Sequence, residues 1–159
     1  MAVEVGLGVF SGEWHPGTGL DHGATLRESI DQVAHAEAVG LDSVWVSEHH
    51  FHPANFVGSV APYAAAMVQA TSRITVGLGL ALAPLHDPIR MAEDAAFLDV
   101  LSGGRFALGL GIGYRDIEYE GFGGHRKQRV GRTVELIEIC RQAVKTNYFP
   151  LWEAENGKI

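Results

Sequence analysis

The chain has 159 residues, 47% of them hydrophobic and 19% charged, a composition that excludes a disordered or fibrous protein and allows one domain. Twelve Lys and Arg against 19 Asp and Glu give a net charge of −7 with no basic run, which argues against nucleic acid and an anionic membrane surface as partners. A single cysteine, Cys140, excludes an internal disulfide and fits a reducing, cytoplasmic setting. Met1 to Phe10 lacks the basic start of a signal peptide, and no apolar run approaches the roughly 20 residues of a membrane span.

Val3 to Phe10 is short, apolar and β-branched, the pattern of a strand. A Gly-rich polar loop runs from Ser11 to Gly23. Thr25 and Glu28 have capping-box spacing, and Leu26, Ile30, Val33, Ala34 and Leu41 follow at helical period, with Gly40 as a stop. Ser43 to Ser47 is the second strand. Pro62 to Thr71, rich in Ala, predicts the second helix. Ile74 to Ala83 is the third strand, apolar throughout, as in a parallel strand covered on both faces. Asp87-Pro88 reads as an N-cap with Pro at the first helical position. That helix runs to Leu101 and stops at Ser102-Gly103-Gly104. Arg105 to Gly111 is the fourth strand. A last helix spans Lys127 to Val144, with Val130, Thr133, Val134, Ile137, Cys140, Arg141 and Val144 on one face; Cys140 reads as a small core residue.

Strand starts near 3, 43, 74 and 105 repeat the length of one strand–helix unit. Strict alternation predicts an α/β fold with a parallel sheet, either a doubly wound sheet or a (β/α) barrel. Both gather chemistry at the C-terminal ends of strands. The second strand ends in Ser47-Glu48-His49-His50-Phe51-His52-Pro53, the densest titratable cluster in the chain. Such groups suit acid/base work, cofactor hydrogen bonding or metal ligation, while His50 and His52 have the bland alternative of packing or capping the rim. His50 and His52 also form an H-x-H pair, the basis of a competing metal-dependent hydrolase reading. His86, in a loop between Pro84 and Pro88, is another polar group near this end.

Gly109-Leu-Gly-Ile-Gly113 falls short of a dinucleotide fingerprint, whose third glycine would fall on Tyr114. These glycines, with Gly77 and Gly79, strip side chains from a surface approached closely by either a planar guest or a neighbouring strand.

Taken together, the ordered segments Trp45 to Phe51, Thr71 to Ile74, Pro84 to Pro88, Ala92 to Asp94, Leu98 to Arg105 and Leu108 to Gly113 resemble the bacterial luciferase-like monooxygenases. The resemblance covers about Val3 to Val144 and implies a TIM-type (β/α) barrel of which residues 1–144 supply the first four units; residues 145–159 form a divergent tail. It implies an oxidoreductase or monooxygenase acting on paired donors with O2, using reduced FMN or a deazaflavin coenzyme to oxidise a small organic substrate. By the same resemblance, His49 is the active-site acid/base group, with Glu48 and His50 orienting it. Gly79, Leu80, Gly111, Gly113 and Arg115 would meet the cofactor, with Arg115 or Arg126 supplying a cation to its phosphate. A non-prolyl cis peptide is expected at Gly79-Leu80, and no metal is expected. Gly111 and Ile112 stand where luciferase α-type chains carry a reactive cysteine and a basic residue, which counts against light emission with a long-chain aldehyde. Asp99, Ser102 and Arg105 fall at the stability end of the barrel, where Arg105 is expected to pair with Glu93 or Asp99. The loop Tyr114 to Arg126 reads as a lid or an ordinary surface loop.

A complete barrel takes about 250 residues. Half a barrel leaves sheet edges and an apolar interior uncovered, so the chain is expected to pair with a second half or self-associate. A third reading follows, a non-catalytic flavin-binding or truncated half-barrel subunit.

Overall fold

Four short apolar segments pair side by side into one parallel sheet in the order β1-β2-β3-β4. The strands are β1 (Gly6–Phe10), β2 (Ser43–Val46), β3 (Thr75–Leu82) and β4 (Phe106–Gly111). The helices are α1 (His22–Ala38), α2 (Val60–Gln69), α3 (Pro88–Ser102), α4 (Asp116–Gly121) and α5 (Arg129–Lys145). The computed structural model describes residues 3–19 and 21–145; the divergent tail proposed from sequence lies almost wholly outside them. Sequential order with helical crossovers and an unclosed sheet is the geometry of four units of a (β/α) barrel.

Period two divides the strands. Val44, Val46, Val76 and Leu78 are fully buried in one cluster with Val33, Ala64, Met67, Leu98 and Leu136 from the helices. Trp45 faces the other way and lies over Gly77, its partner in the β2–β3 register, and Gly79. A Cβ at Gly77 would collide with the indole carbons. A Cβ at Gly109 would strike the Leu78 carbonyl, and one at Gly111 would sit 2.9 Å from Leu80 Cδ1. Here the glycines make room for the chain's own Trp45 and Leu80 and for a tight neighbouring strand, so the packing alternative is the one realised.

Element limits move where tertiary partners outweigh local signals. The cap of α1 is Asp21, whose Oδ1 accepts from the Ala24 amide at 2.6 Å. The expected capping box starts one turn too late: Thr25 lies inside the helix, its hydroxyl donating to the Asp21 carbonyl. Asp87 caps α3 as expected, accepting from the Ile89 and Arg90 amides. On α5 the buried face is Thr133, Leu136, Cys140 and Ala143, while Val130 and Val134 are 58% and 50% exposed. The expected stripe is thus rotated, because α5 docks against α3 and orients itself by that contact. The expected loop from Tyr114 to Arg126 contains the helix α4.

The N-terminal end of the sheet is held by two charged side chains acting on backbone. The Glu37 carboxylate accepts from the amides of Ser72, Arg73 and Ile74, the last two at 2.6 and 2.7 Å. Arg105 donates to the carbonyls of Ile74 (2.8 Å), Ser102, Thr71 and Val68. Its expected carboxylate partners are not used, since Glu93 pairs with Arg90 at 2.9 Å and the α2 carbonyls lie closer to the guanidinium. Arg105 is a cap for the end of α2.

Candidate active site

The end of β2 is pinned from both sides. The Ser47 amide donates to the Phe10 carbonyl of β1, and the Glu48 amide to the Leu80 carbonyl of β3. Glu48 alternates inward and is 1% exposed. Its carboxylate accepts from His50 Nε2 at 2.6 Å, from His86 Nε2 at 2.9 Å and from the Leu82 amide at 2.6 Å. Burial opposes its charge, yet the two imidazoles and the amide outweigh burial and hold the carboxyl at about 2. An ionised carboxylate only accepts, so both imidazoles carry a proton on Nε2. Glu48 thereby ties β2 to the turn Ala83–Leu85 that follows β3. The Gly79-Leu80 peptide between them is cis, as the resemblance implied.

His49 takes the next position. Its amide donates to the Val57 carbonyl and its Nε2 lies 3.1 Å from Ser47 Oγ. Burial lowers its proton affinity below the usual histidine value; Glu118 opposes that shift, and His52, Arg115 and His50 add to it. His49 is therefore a neutral imidazole at neutral pH, competent to accept a proton. His50 packs edge-on against Phe122 at 4.5 Å. His52 accepts from the Ala54 and Asn55 amides through Nδ1, the rim-capping role sequence offered it. His50 Nε2 is thus engaged by Glu48 and His52 Nδ1 by backbone, so each histidine of the H-x-H pair already has one ring nitrogen in use. Among the described residues no group of three His, Cys, Asp or Glu is placed to hold a metal ion.

Sequence reading missed Glu118. It is 2% exposed, and its Oε1 accepts from the His50 amide at 3.2 Å and Arg115 Nη1 at 3.3 Å. Arg115 also donates to the carbonyls of His50 (2.7 Å) and Phe51 (3.4 Å). The one legible signal was the i, i+3 spacing of Arg115 and Glu118 in a Gly-rich stretch. Arg115, expected at a phosphate, is thus engaged with the histidine turn. Gly113 has φ +66°, and a Cβ there would lie 2.9 Å from Tyr119 Oη, which donates to the Ile112 carbonyl. Leu80 is 47% exposed and lies against Gly111, while Gly79 lies against Trp45.

Arg126 lines a cleft of about 520 Å³ together with Lys127, Arg129, Tyr119 and Asp116. The Arg129 Nε is buried there without a hydrogen-bond partner. Arg126 reaches Asp116 at 3.3 Å and is 42% exposed.

The described residues form an unclosed parallel α/β sheet with a histidine and two buried carboxylates gathered at the end of β2. The comparisons narrow the class. The family model for luciferase-like monooxygenases matches residues 6–156, and the chain belongs to that family. It is 34% identical over 109 residues to limonene 1,2-monooxygenase of Rhodococcus erythropolis, covering 69% of this chain and 28% of that protein. It is 31% identical over 132 residues to the alkanal monooxygenase beta chain of Photobacterium leiognathi, covering 82% and 41%. Among solved structures, the FMN-bound oxygenating constituent of 3,6-diketocamphane monooxygenase from Pseudomonas putida superposes with a TM-score of 0.82 at 25% identity. That match covers 91% of this chain and 40% of the other. The chain spans less than half the length of each of these proteins. Among the described residues, no helix is long and apolar enough to cross a membrane.

Proposed function

We propose that the chain is the acid/base half of an oxidoreductase that uses reduced FMN and O2 to oxygenate a small organic substrate in a reducing cytoplasm. The observation that carries this reading is His49, neutral and hydrogen-bonded beside two buried carboxylates at the C-terminal end of β2. The relatives' names, a terpene, an alkanal and a diketocamphane oxygenase, support a small, largely apolar substrate.

The residues fit a flavin in two respects. Leu80 presents an exposed apolar side chain at the C-terminal end of β3, a surface suited to a planar ring. Arg126, Lys127 and Arg129 line a cleft with an unsatisfied buried guanidinium nitrogen, a donor set suited to phosphate. When bound, reduced flavin supplies electrons to O2; a deazaflavin would supply hydride instead. The chain's own part is proton handling. The His49 imidazole exchanges a proton with substrate or solvent. Ser47 orients the ring, and Glu48 fixes His50 and His86 behind it. A second half-barrel or a second copy would complete the floor, since Val9, Leu80 and Ile112 remain exposed.

Anaerobic titration of the chain with reduced FMN, with a deazaflavin and with Zn²⁺ separates the readings. Saturable binding of reduced FMN is expected. Stoichiometric zinc binding in its place would favour the hydrolase reading, and binding of none of them a non-catalytic subunit.

A further inference from the structure

We propose that Glu118 and Arg115 are positioning residues for His49, a buried clamp that fixes the His50–Phe51 backbone immediately after it. The inference rests on the reading of His49 as the acid/base group. The clamp holds one turn by three of its backbone groups: the His50 amide on Glu118, and the His50 and Phe51 carbonyls on Arg115. Phe51 adopts φ +51°, a left-handed conformation that a bulky residue takes only when its surroundings dictate it. Its ring occupies the space a side chain at Gly121 would need, so α4 lies directly over the turn. Phe122 closes the same contact against the His50 ring. The Arg115–Glu118 pair is 23% and 2% exposed. A buried pair of this kind is held for geometry more than for stability.

The clamp also sets the field at His49. From the α4 segment Glu118 favours the imidazolium and Arg115 disfavours it; from its own loop His50 and His52 disfavour it, and burial outweighs them all. The two halves of the clamp therefore act on His49 with opposite sign.

The test uses the full chain with ¹⁵N-labelled histidine and reads imidazole tautomer, titration midpoint and amide exchange by NMR. Glu118→Gln keeps the acceptor oxygen and removes the charge. It is expected to keep the His50 amide protected and to lower the His49 midpoint. Arg115→Gln is expected to raise that midpoint, and Glu118→Ala to speed His50 amide exchange at least tenfold and change the His49 tautomer ratio. A merely structural role would not move the midpoint in opposite directions in two folded variants. A Glu118→Gln midpoint that stays put or rises overturns the proposal, as does a Glu118→Ala spectrum identical to the native one. Should Glu118→Ala not fold, the Gln pair decides alone. These readouts need no cofactor, so they stand apart from the acid/base reading, which fails separately if His49→Ala keeps full turnover.

Discussion

The two ends of the sheet bury charge in opposite ways. At the N-terminal end Glu37 collects three backbone amides and Arg105 collects four carbonyls. Among the described residues neither forms an ion pair. At the C-terminal end Glu48 collects two imidazoles and one amide, and Glu118 a guanidinium and one amide. Charge bonded to backbone is fixed once the chain folds. Charge bonded to imidazole responds to protons and to whatever approaches the ring. One end is a set of caps, the other a set of titratable side chains bonded to one another, and on the proposed function this is the division expected of a barrel.

The sharpest test of the contrast is His49→Ala. It should lower substrate-coupled oxidation of reduced FMN by about 100-fold or more, while thermal melting shifts by no more than about 0.5 kcal/mol. Glu48→Gln comes next. Its amide would set a donor against two imidazoles and the Leu82 amide, at a cost of about 3 kcal/mol in urea unfolding. Arg105→Ala should cost about 2–3 kcal/mol by the same measurement, because it orphans several part-buried carbonyls, yet leave the affinity for reduced FMN unchanged. A loss of FMN binding without a loss of stability would put function at the wrong end. Gly77→Ala forces a methyl into the Trp45 ring and should cost about 1–3 kcal/mol.

Acid gives the mildest separation. Glu37 and Glu48 are both held at about 2 against an ordinary 4.5. For Glu37 burial pulls the other way and the Ile74, Arg73 and Ser72 amides prevail. Both have folded values below their unfolded ones, so their contribution is complete above about 4.5 and is lost as pH falls toward 2. Urea midpoints measured from pH 6 to 3 should fall, and Glu37→Gln should flatten that fall without altering the His49 titration.

Much of this was legible in the residues. The parallel strand–helix alternation, the Asp87 cap, the burial of Cys140 and the histidine cluster at the end of β2 follow from period, cap chemistry and the rule that βα units expose strand ends, while the choice of a barrel over a doubly wound sheet came with the family resemblance. Glu48 and His49 were named from the same cluster. Other features were not legible, for a common reason. The α1 start depended on which of two cap-forming residues, Asp21 or Thr25, met a free amide. The buried face of α5 depended on α3. Arg105 chose carbonyls over carboxylates because the end of α2 lay nearer.

What the sequence by itself determined is the class of protein and the end of the sheet where its chemistry sits, because period and motif order are local properties of the chain. Only the tertiary structure decided the partners across the fold. Glu118 lies 68 residues from the His50 amide it accepts from, and Trp45, within its own chain, fills the space that Gly77 and Gly79 clear. Contacts at such separation are set by how sheet and helices close on one another, and no local pattern encodes them.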